Sequence, residues 1–487
     1  MTALTQLYPQ PLWQWFEQIC AIPHPSKHEQ ALSSYIQQWA KAQGLAVVED
    51  KVGNLIIRKP ATAGMEQCKT VALQAHLDMV PQKNADKVHN FETDAIEAYV
   101  DGDWVKAKGT TLGSDNGIGM SSVLAVLGSK DIKHGPLEVL LTIDEETGMT
   151  GAFGLEAGCL EADILINTDS EQEGEIYMGC AGGVDAHISV PMSWQAPEHA
   201  NTSFQLTLSG LKGGHSGVNI HLGRANANKL LARFLFNHSD ELAIELVSFS
   251  GGSLRNAIPR EAHISFMLPA ENVDKLHQAI AAFQALVRQE LALVDPAMVL
   301  CLESIDAPTK VMDEAAQNTL IDLLHASPNG VIRMSDEVEG VTETSLNIGV
   351  ISTEDESVEI LCLLRSLIDS GREQVAGMLT ALANLSGASI NLSGAYPGWK
   401  PDISSPVMAI VRETYNDIYK KDPTVMVIHA GLECGLFKEP YPLMDMVSIG
   451  PTIRYPHSPD EMVNITTVGQ YWELLVAVLA RIPAKNA

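Results

Sequence analysis

Strand and helix patterns alternate along the first 183 residues, and this alternation most limits how the chain can fold. Residues 70–78 and 137–144 form apolar runs typical of strands, and a helix pattern at 117–128 separates them. A third apolar run covers residues 162–169. Near-continuous apolar strands are typical of a parallel sheet that is buried on both faces. The alternation therefore predicts an α/β domain with a central, mostly parallel sheet.

The pattern changes after residue 183 and returns to the first type at residue 397. The block between them, about 210 residues, contains strand and helix patterns in two halves of similar size. Such an order is typical of an α+β domain. We therefore predict one discontinuous α/β domain, residues 1–183 and 397–487, which is interrupted by a large α+β domain over residues 184–396.

The charge and the cysteines exclude several classes of protein. The chain has 32 Lys and Arg against 60 Asp and Glu, which gives a formal net charge of -28. Binding to nucleic acids or anionic membranes requires a cationic face. The seven cysteines include no Cys-x-x-Cys pair, which is typical of reduced thiols in a cytosolic protein. We expect a cytoplasmic protein with neither a nucleic-acid partner nor a membrane partner.

Acidic residues and histidines follow strand patterns at five places. They are His76 with Asp78, Asp115, Glu145 with Glu146, Asp169, and His457. In open α/β sheets, ligands bind at the carboxyl ends of the strands. The sequence therefore predicts that these side chains meet at one edge of the sheet.

Each of these groups also has an ordinary structural explanation. A single loop histidine is more often solvated or satisfied in the core than bound to a ligand. Asp115 is well placed to cap the helix that follows it. Glu145 and Glu146 could form a solvated acidic turn, and Asp169 could be an ordinary polar residue of a loop. These explanations become less convincing when the five groups are considered together, because so many charges at one edge would repel one another unless a cation were bound.

The number of possible ligands points to two cations. Two histidines and the carboxylates of Asp115, Glu146 and Asp169 exceed the ligand set of one four-coordinate zinc ion. If Asp115 bridges, two divalent ions are balanced by three carboxylates and one shared hydroxide. Ions close together can share and activate a water molecule. Mixed nitrogen and oxygen ligands favour Zn²⁺, with Co²⁺ or Mn²⁺ as substitutes.

Two acidic residues remain outside this ligand set. Asp78 lies two residues after His76 on the predicted strand, so both side chains point to the same face. Asp78 can therefore accept a hydrogen bond from the far ring nitrogen of His76 and fix its tautomer. Glu145 neighbours the ligand Glu146 and remains able to take a proton from the bridging water.

The motifs resemble, in order and spacing, those of the M20 metallopeptidase family. They are His-x-Asp at 76–78, Gly-Ser-Asp-Asn-Gly at 113–117, Asp-Glu-Glu-Thr-Gly at 144–148, Asn-Thr-Asp at 167–169, and Pro-His-Ser at 456–458. The resemblance covers nearly the whole chain and is greatest to the aminoacyl-histidine dipeptidases of that family. It implies a zinc-exopeptidase-like catalytic domain, a lid or dimerisation domain, and a homodimer.

The resemblance also assigns roles to individual residues. It implies two ligand sets that share one carboxylate: His76, Asp115 and Asp169 for one ion, and Asp115, Glu146 and His457 for the other. Asp78 is then the orienting acid and Glu145 the general base. The peptide bond between Asp115 and Asn116 is expected to be cis.

Three further motifs resemble parts of the same family outside the metal ligands. Gly-Leu-Lys-Gly-Gly-His-Ser-Gly at 210–217 implies that His215 reaches the scissile carbonyl oxygen. The segment at 251–262 implies Asn256 as a polar substrate contact. Arg365 aligns with an arginine that binds the substrate carboxylate, although a surface strand residue would explain it equally simply. The role of His-Ala-Gly-Leu-Glu-Cys-Gly at 429–435 stays open.

These inferences predict a metal-dependent dipeptidase that hydrolyses unblocked dipeptides, Xaa-His among them. A hydroxide that bridges two divalent ions would attack the peptide bond, with Glu145 as general base. One alternative is a related M20 amidohydrolase or deacylase, which would share every metal ligand. Another is a catalytically inactive peptide-binding protein, which would have no need of a free Glu145. The sequence leaves open the residue preference, the physiological metal, the oligomeric state, and whether His215 acts in its own chain or across a dimer.

Overall fold

The computed structural model describes residues 3–198 and 201–485, and its contacts divide the chain into two units. The first unit comprises the chain up to residue 179, residues 399–427, and the chain from residue 432 onward. The second unit comprises residues 180–398 and 428–431. The sequence predicts breaks after residues 183 and 396 instead. That the two units are independent domains stays a prediction.

The first unit is built on an eight-stranded sheet. From one edge to the other its strands are Ala46–Glu49, Leu55–Lys59, Leu137–Thr142, Val71–His76, Ile164–Asn167, Asp445–Ser448, Glu175–Cys180 and Thr424–Ile428. The four middle strands run parallel, and their neighbours on either side join antiparallel. The three middle strands that precede residue 168 are buried along their whole length. The predicted α/β fold with a central parallel sheet is therefore confirmed.

Helices of the first unit pack against this sheet and against one another. They are Gln10–Cys20, Gln30–Ala42, Ser114–Gly128, Glu145–Gly148, Thr150–Gly154, Pro406–Tyr419, Glu433–Phe437 and Ile465–Leu479, with a 3-10 turn at Leu4–Gln6. Pro406–Tyr419 shows why a helix begins where it does. The Ser405 side chain accepts a hydrogen bond from Met408 N, and Pro406 stands at the first position, where no backbone donor is needed.

A second, smaller sheet lies in the first unit. Its four antiparallel strands are, in order, Ile453–Arg454, Met462–Asn464, Trp104–Ala107 and Ala98–Asp101. The sequence patterns did not predict it, because two of its strands are only two and three residues long. This sheet joins a segment that precedes Asp115 to the hairpin that contains His457.

The second unit is built on a nine-stranded antiparallel sheet. Its strands, in order, are Val299–Ser304, Asn201–Ser209, Ala262–Pro269, Glu245–Gly251, Thr342–Thr353, Ser357–Ser366, Gly182–Pro191 and Ser389–Tyr396, with Gly330–Met334 paired beside Thr342–Thr353. Four helices bury their apolar faces on it: Ala227–Leu242, Val273–Glu290, Glu314–Ala326 and Asp369–Ser386. The two predicted halves thus share one sheet. They join where the strand Glu245–Gly251 pairs with the strand Thr342–Thr353.

Short elements complete the second unit. Two two-stranded pairs occur, Trp194–Gln195 with Val311–Met312, and Gly214–His215 with Ala257–Ile258. The 3-10 turns are Ile220–Leu222 and Ala270–Asn272. None of the helices within residues 3–198 and 201–485 combines the length and the apolar composition that a membrane crossing requires.

One local expectation at the start of the second helix is wrong. The pattern Ser26-x-x-Glu29 predicts a capping box, but Glu29 itself precedes the helix Gln30–Ala42 and makes no side-chain cap. Its carboxylate accepts hydrogen bonds from Lys27 N at 2.9 Å and Asp144 N at 3.0 Å. The Ser26 hydroxyl instead donates to Asp78 Oδ2 at 2.7 Å, so it bonds to a residue distant in sequence rather than to the start of the helix.

Candidate active site

Three of the five predicted groups meet at the carboxyl edge of the eight-stranded sheet. The strand Val71–His76 ends at His76, which lies opposite Thr142 on one parallel neighbour. Glu145 and Glu146 begin the short helix that follows that neighbour. On the other side, Gln74 lies opposite Asn167, two residues before Asp169. Parallel strands end at the same edge, so their register brings these side chains together.

The other two groups reach the same place by a different route. The expectation that these groups follow strands of the main sheet is wrong for Asp115 and His457, because the strands that precede them belong to the four-stranded sheet. Asp115 lies in the loop after Trp104–Ala107, and His457 lies in the hairpin after Ile453–Arg454. The four-stranded sheet holds both segments. Asp115 lies at a kink near the start of the helix Ser114–Gly128, where its backbone is non-helical.

The carboxylate of Asp115 lies between the two histidines. Its Oδ1 is 3.3 Å from His76 Nε2, and its Oδ2 is 3.1 Å from His457 Nε2. His76 Nε2 also lies 3.4 Å from Asp169 Oδ1, and His457 Nε2 lies 3.0 Å from Glu146 Oε2. These contacts sort the five residues into the two sets that the family resemblance implies. The peptide bond between Asp115 and Asn116 is cis, as expected.

The donor atoms fit divalent cations. One ligand atom each from His76, Asp115 and Glu146 lie within 4.8 Å of one another. Glu146 Oε1 is buried and has no hydrogen-bond partner in the part of the chain that the structure describes. A buried carboxylate oxygen without a partner is costly, and a coordinated ion satisfies it. Imidazole and carboxylate together are ligands that Zn²⁺ accepts.

The electrostatics of the site also favour bound cations. Burial raises the pKa of Glu145 well above its ordinary value, and the charges of Asp169 and Glu146 raise it further, against the opposing charge of His76. Burial and Asp115 likewise raise the pKa of Glu171 to about 8. These carboxyl groups resist ionisation because each is desolvated and lies near other carboxylates. Divalent ions would neutralise this repulsion.

Asp78 connects several parts of the site. The strand ends at His76, so Asp78 lies just beyond it rather than on it, but its Oδ1 is still 3.3 Å from His76 Nδ1. It accepts hydrogen bonds from Glu145 N at 2.9 Å and Ser26 Oγ at 2.7 Å. Burial would raise the pKa of Asp78, but these hydrogen bonds and His76 lower it to about 2. Asp78 is therefore an anion that faces His76 and the start of the helix with Glu145.

The sequence analysis missed two buried acids near the ligands. Glu461 is 2% exposed and accepts hydrogen bonds from four consecutive backbone N–H groups, residues 112–115, and from the Ser114 hydroxyl. It fixes the loop that carries Asp115. Glu433 is 1% exposed and accepts from Gln74 Nε2 at 2.5 Å and Thr142 Oγ1 at 2.8 Å. The sequence signal that could have identified Glu433 is its position in the motif at residues 429–435, whose role the sequence analysis left open.

In the second unit, His215 presents a hydrogen-bond donor. Gly217 N and Val218 N donate to its Nδ1 at 3.1 and 3.0 Å. Because Nδ1 accepts, the neutral ring carries its hydrogen on Nε2. Burial, and then the charge of Arg365, lowers the pKa of His215 to about 4. The ring is therefore neutral at pH 7, and its Nε2–H is available to an acceptor.

Arg365 is buried, so its interpretation as a surface strand residue is wrong. It is 5% exposed and lies on the strand Ser357–Ser366. Its guanidinium donates to Tyr396 Oη at 3.2 Å, while Nε has no partner among the described residues. No carboxylate within residues 3–198 and 201–485 pairs with it. Asn256 differs from it, because its side chain is exposed.

Comparison with known proteins identifies the family. A sequence profile described as "Peptidase dimerisation domain" of M20 peptidases matches residues 206–294. The chain is 58% identical over 485 residues to the cytosol non-specific dipeptidase of Escherichia coli K12, and the match covers 100% of both chains. The chain belongs to the M20 metallopeptidase family.

Solved structures of M20 peptidases agree with this assignment. The aminoacylhistidine dipeptidase of Vibrio alginolyticus is 61% identical, with a TM-score of 0.94 over 99% of both chains. The aminopeptidase PepT of Bacillus cereus is 16% identical, with a TM-score of 0.62 over 98% of this chain and 99% of that one. The PepT likeness concerns the fold alone. The profile match of this M20 chain lies within residues 184–396.

Proposed function

We propose that this M20 peptidase is a metal-dependent dipeptidase that hydrolyses unblocked dipeptides, Xaa-His dipeptides among them. The observation that carries the proposal is the Asp115 carboxylate, which contacts both His76 and His457 beside a buried Glu146 oxygen without a partner. The names of the E. coli and Vibrio relatives, both dipeptidases, support the substrate class. We also propose that the protein is cytoplasmic and forms a homodimer.

The proposed cofactor is a pair of divalent ions, with Zn²⁺ favoured. His76, Asp115 and Asp169 would hold one ion, and Asp115, Glu146 and His457 the other. Bound ions would lower the pKa of water and polarise the scissile carbonyl group. His457 must lose a proton to bind an ion, because the hydrogen bonds that it donates to Asp115 and Glu146 raise its pKa to about 11 when no ion is bound.

The side chains of the first unit would supply the proton transfers. Glu145 takes a proton from the attacking water on its carboxylate and later gives it to the leaving amine nitrogen. The Nδ1–H of His76 donates to the backbone carbonyl oxygen of Asp78 at 3.0 Å and faces the Asp78 carboxylate, which leaves Nε2 of that ring as the ligand atom. The same Asp78 carboxylate holds Glu145 N, so the general base and the ligand are oriented by one group.

Residues of the second unit would contact the substrate. The Nε2–H of His215 would donate to the scissile carbonyl oxygen as negative charge develops there. The guanidinium of Arg365 would bind the substrate carboxylate. A buried cation without an anionic partner is unfavourable, and a substrate carboxylate would supply that partner. Asn256 would provide a further polar contact.

The two-ion proposal predicts a stoichiometry. Metal-free protein titrated with Zn²⁺ is expected to bind two ions per chain, because its five ligands exceed one tetrahedral set. Isothermal titration and elemental analysis after desalting measure this. Glu461→Ala serves as a control outside the ligand set, and should bind two ions more weakly. Saturation at one ion per chain in the wild type would contradict the proposal.

Recognition of a free carboxylate is the second prediction. Wild-type kcat/KM for Gly-His should exceed that for Gly-His amide by about 10–150-fold, since a charge-assisted hydrogen bond contributes roughly 1.5–3 kcal/mol. Arg365→Ala should lose most of this preference. Arg365→Lys keeps the charge but not the planar fork, and should retain part of it.

The controls separate this proposal from its alternatives. Arg333 is an exposed arginine of the same unit, paired with Asp336, and Arg333→Ala should leave the preference intact. Equal cleavage of the acid and the amide by the wild type would place carboxylate recognition elsewhere. Faster cleavage of N-acetyl amino acids than of dipeptides would favour the deacylase alternative. No cleavage of any peptide by protein with bound metal would favour a binding protein.

A further inference from the structure

A short ribbon in the second unit carries two of the proposed substrate contacts. Its strands Gly214–His215 and Ala257–Ile258 pair antiparallel, with His215 opposite Ala257. Asn256 immediately precedes the second strand, and its carbonyl oxygen accepts a hydrogen bond from Ser216 N at 2.8 Å. His215 and Asn256 are therefore displayed by one piece of backbone.

A buried side-chain amide on the strand Thr342–Thr353 forms hydrogen bonds with the backbone of this ribbon. Asn347 is 1% exposed, and its Nδ2 donates to the carbonyl oxygens of Arg255 at 2.9 Å and Ala257 at 2.7 Å. Its Oδ1 accepts from Asn226 Nδ2 at 3.4 Å. The opposite amide orientation would set Oδ1 against two carbonyl oxygens, so these contacts fix the orientation. One side chain thus binds the two carbonyl groups that flank Asn256.

Two glycines let the ribbon approach the sheet closely enough for these bonds. A Cβ atom on Gly349, two residues after Asn347, would lie 2.5 Å from Arg255 Cα. Gly252 has a φ of +72°, and a Cβ atom there would collide with the Gly349 carbonyl oxygen. The segment from 252 to 257 therefore lies directly on the strand Thr342–Thr353.

The same strand connects the ribbon to Arg365. Thr342–Thr353 pairs antiparallel with Ser357–Ser366, and Ser345 lies opposite Arg365 while Asn347 lies opposite Leu363. Asn347 is therefore two residues from the partner of Arg365 on a rigid, buried strand. Among the described residues, the exposed segment 252–256 is held to the sheet by this side chain, by the close glycine contacts, and by an ion pair of 2.5 Å between Arg255 Nε and Asp185 Oδ1. Of these, only the Asn347 amide binds the backbone on both sides of Asn256.

We propose that Asn347 is a positioning residue that holds His215 and Asn256 at a fixed place relative to Arg365. The inference rests on the proposed function, in which these three residues contact one substrate. Asn347 does not touch the substrate itself. A small substrate bound at several points requires contacts in fixed relative positions, and a misplacement of about 1 Å can cost about 100-fold in rate. The buried amide supplies that rigidity to an otherwise exposed loop.

The test compares substitutions of Asn347 with a matched buried amide. Asn347→Asp keeps the size but turns a carboxylate oxygen toward two carbonyl oxygens, and Asn347→Ser keeps one donor. Asn347→Asp should lower kcat/KM for Gly-His by about 10–100-fold, with metal content unchanged. Asn347→Ser should fall between Asn347→Asp and the wild type. Gln317→Glu is the control, because Gln317 is also buried and binds two backbone groups, Leu246 N and Ile244 O, away from the ribbon.

A double-mutant comparison decides the mechanism. In a protein that already carries His215→Ala and Asn256→Ala, a further Asn347→Ala change should cost less than about 2-fold in kcat/KM, because residues that act through one another are not additive. The same loss there as in the wild type, or an equal loss in Gln317→Glu at matched Tm, would overturn the proposal. Wild-type activity of both His215→Ala and Asn256→Ala would instead overturn the proposed substrate contacts.

Discussion

Glu145→Gln is expected to lower kcat for Gly-His by about 10²–10⁴-fold, the usual effect of losing a general base. The substitution keeps the size and the backbone bond from Glu145 N to Asp78, but it removes the carboxylate that takes the proton. Metal content should stay at the wild-type value, because Glu146 and not Glu145 contacts His457. Steady-state kinetics on protein of known metal content measure both quantities.

Asp115→Ala is the contrasting variant. It removes the carboxylate that contacts both histidines, so it should lose bound metal as well as activity. Near wild-type activity of Glu145→Gln would show that the roles of Glu145 and Glu146 are exchanged or wrong. Loss of metal from Glu145→Gln would instead make Glu145 a ligand.

His215→Ala is expected to lower kcat by about 10²–10³-fold with a smaller change in KM, as for the loss of one donor to a developing oxyanion. The structure supplies a reason beyond the motif, since two backbone N–H groups occupy Nδ1 and leave Nε2–H as the donor. Burial and Arg365 lower the pKa of His215 to about 4, so the neutral ring predominates throughout the neutral pH range. Below that pKa the ring keeps its Nε2–H, but Nδ1 can no longer accept the two backbone hydrogen bonds that orient it.

An exposed histidine of the same unit, His187, provides the control for this variant. His187 pairs with Glu359 on the surface of the sheet, and His187→Ala should leave kcat unchanged. An unchanged kcat with a raised KM in His215→Ala would reduce His215 to a binding contact.

The positions of the side chains at the strand ends can be predicted from the sequence for a physical reason. His76 ends one short, mostly apolar strand and Asp169 follows another, and both strands are buried along their whole length, so that their ends are visible in the sequence. Parallel register then brings side chains at those ends together without any detailed knowledge of packing. The fold class and the family could therefore be predicted, and the comparisons confirm both.

Other parts of the site depend on contacts that no local pattern encodes. Asp115 and His457 are brought together by a sheet with strands as short as two residues, too short for a periodic signal. Ser26 has the pattern of a helix cap, but its hydroxyl binds Asp78, 52 residues away. Arg365 has the appearance of a solvated strand residue, and only the packed sheet shows that it is buried. The assigned roles of these residues stay predictions.

The discontinuous first unit also bears on how the protein is made. Four of the proposed ligands have been synthesised once the chain reaches residue 169, but His457 and Glu461 follow only after the entire second unit and most of the remaining chain. A nascent chain therefore holds an incomplete ligand set throughout almost all of its translation. On this arrangement, a ribosome that stalls before codon 457 releases a fragment without the second histidine, and hydrolytic activity arises only when synthesis is nearly finished.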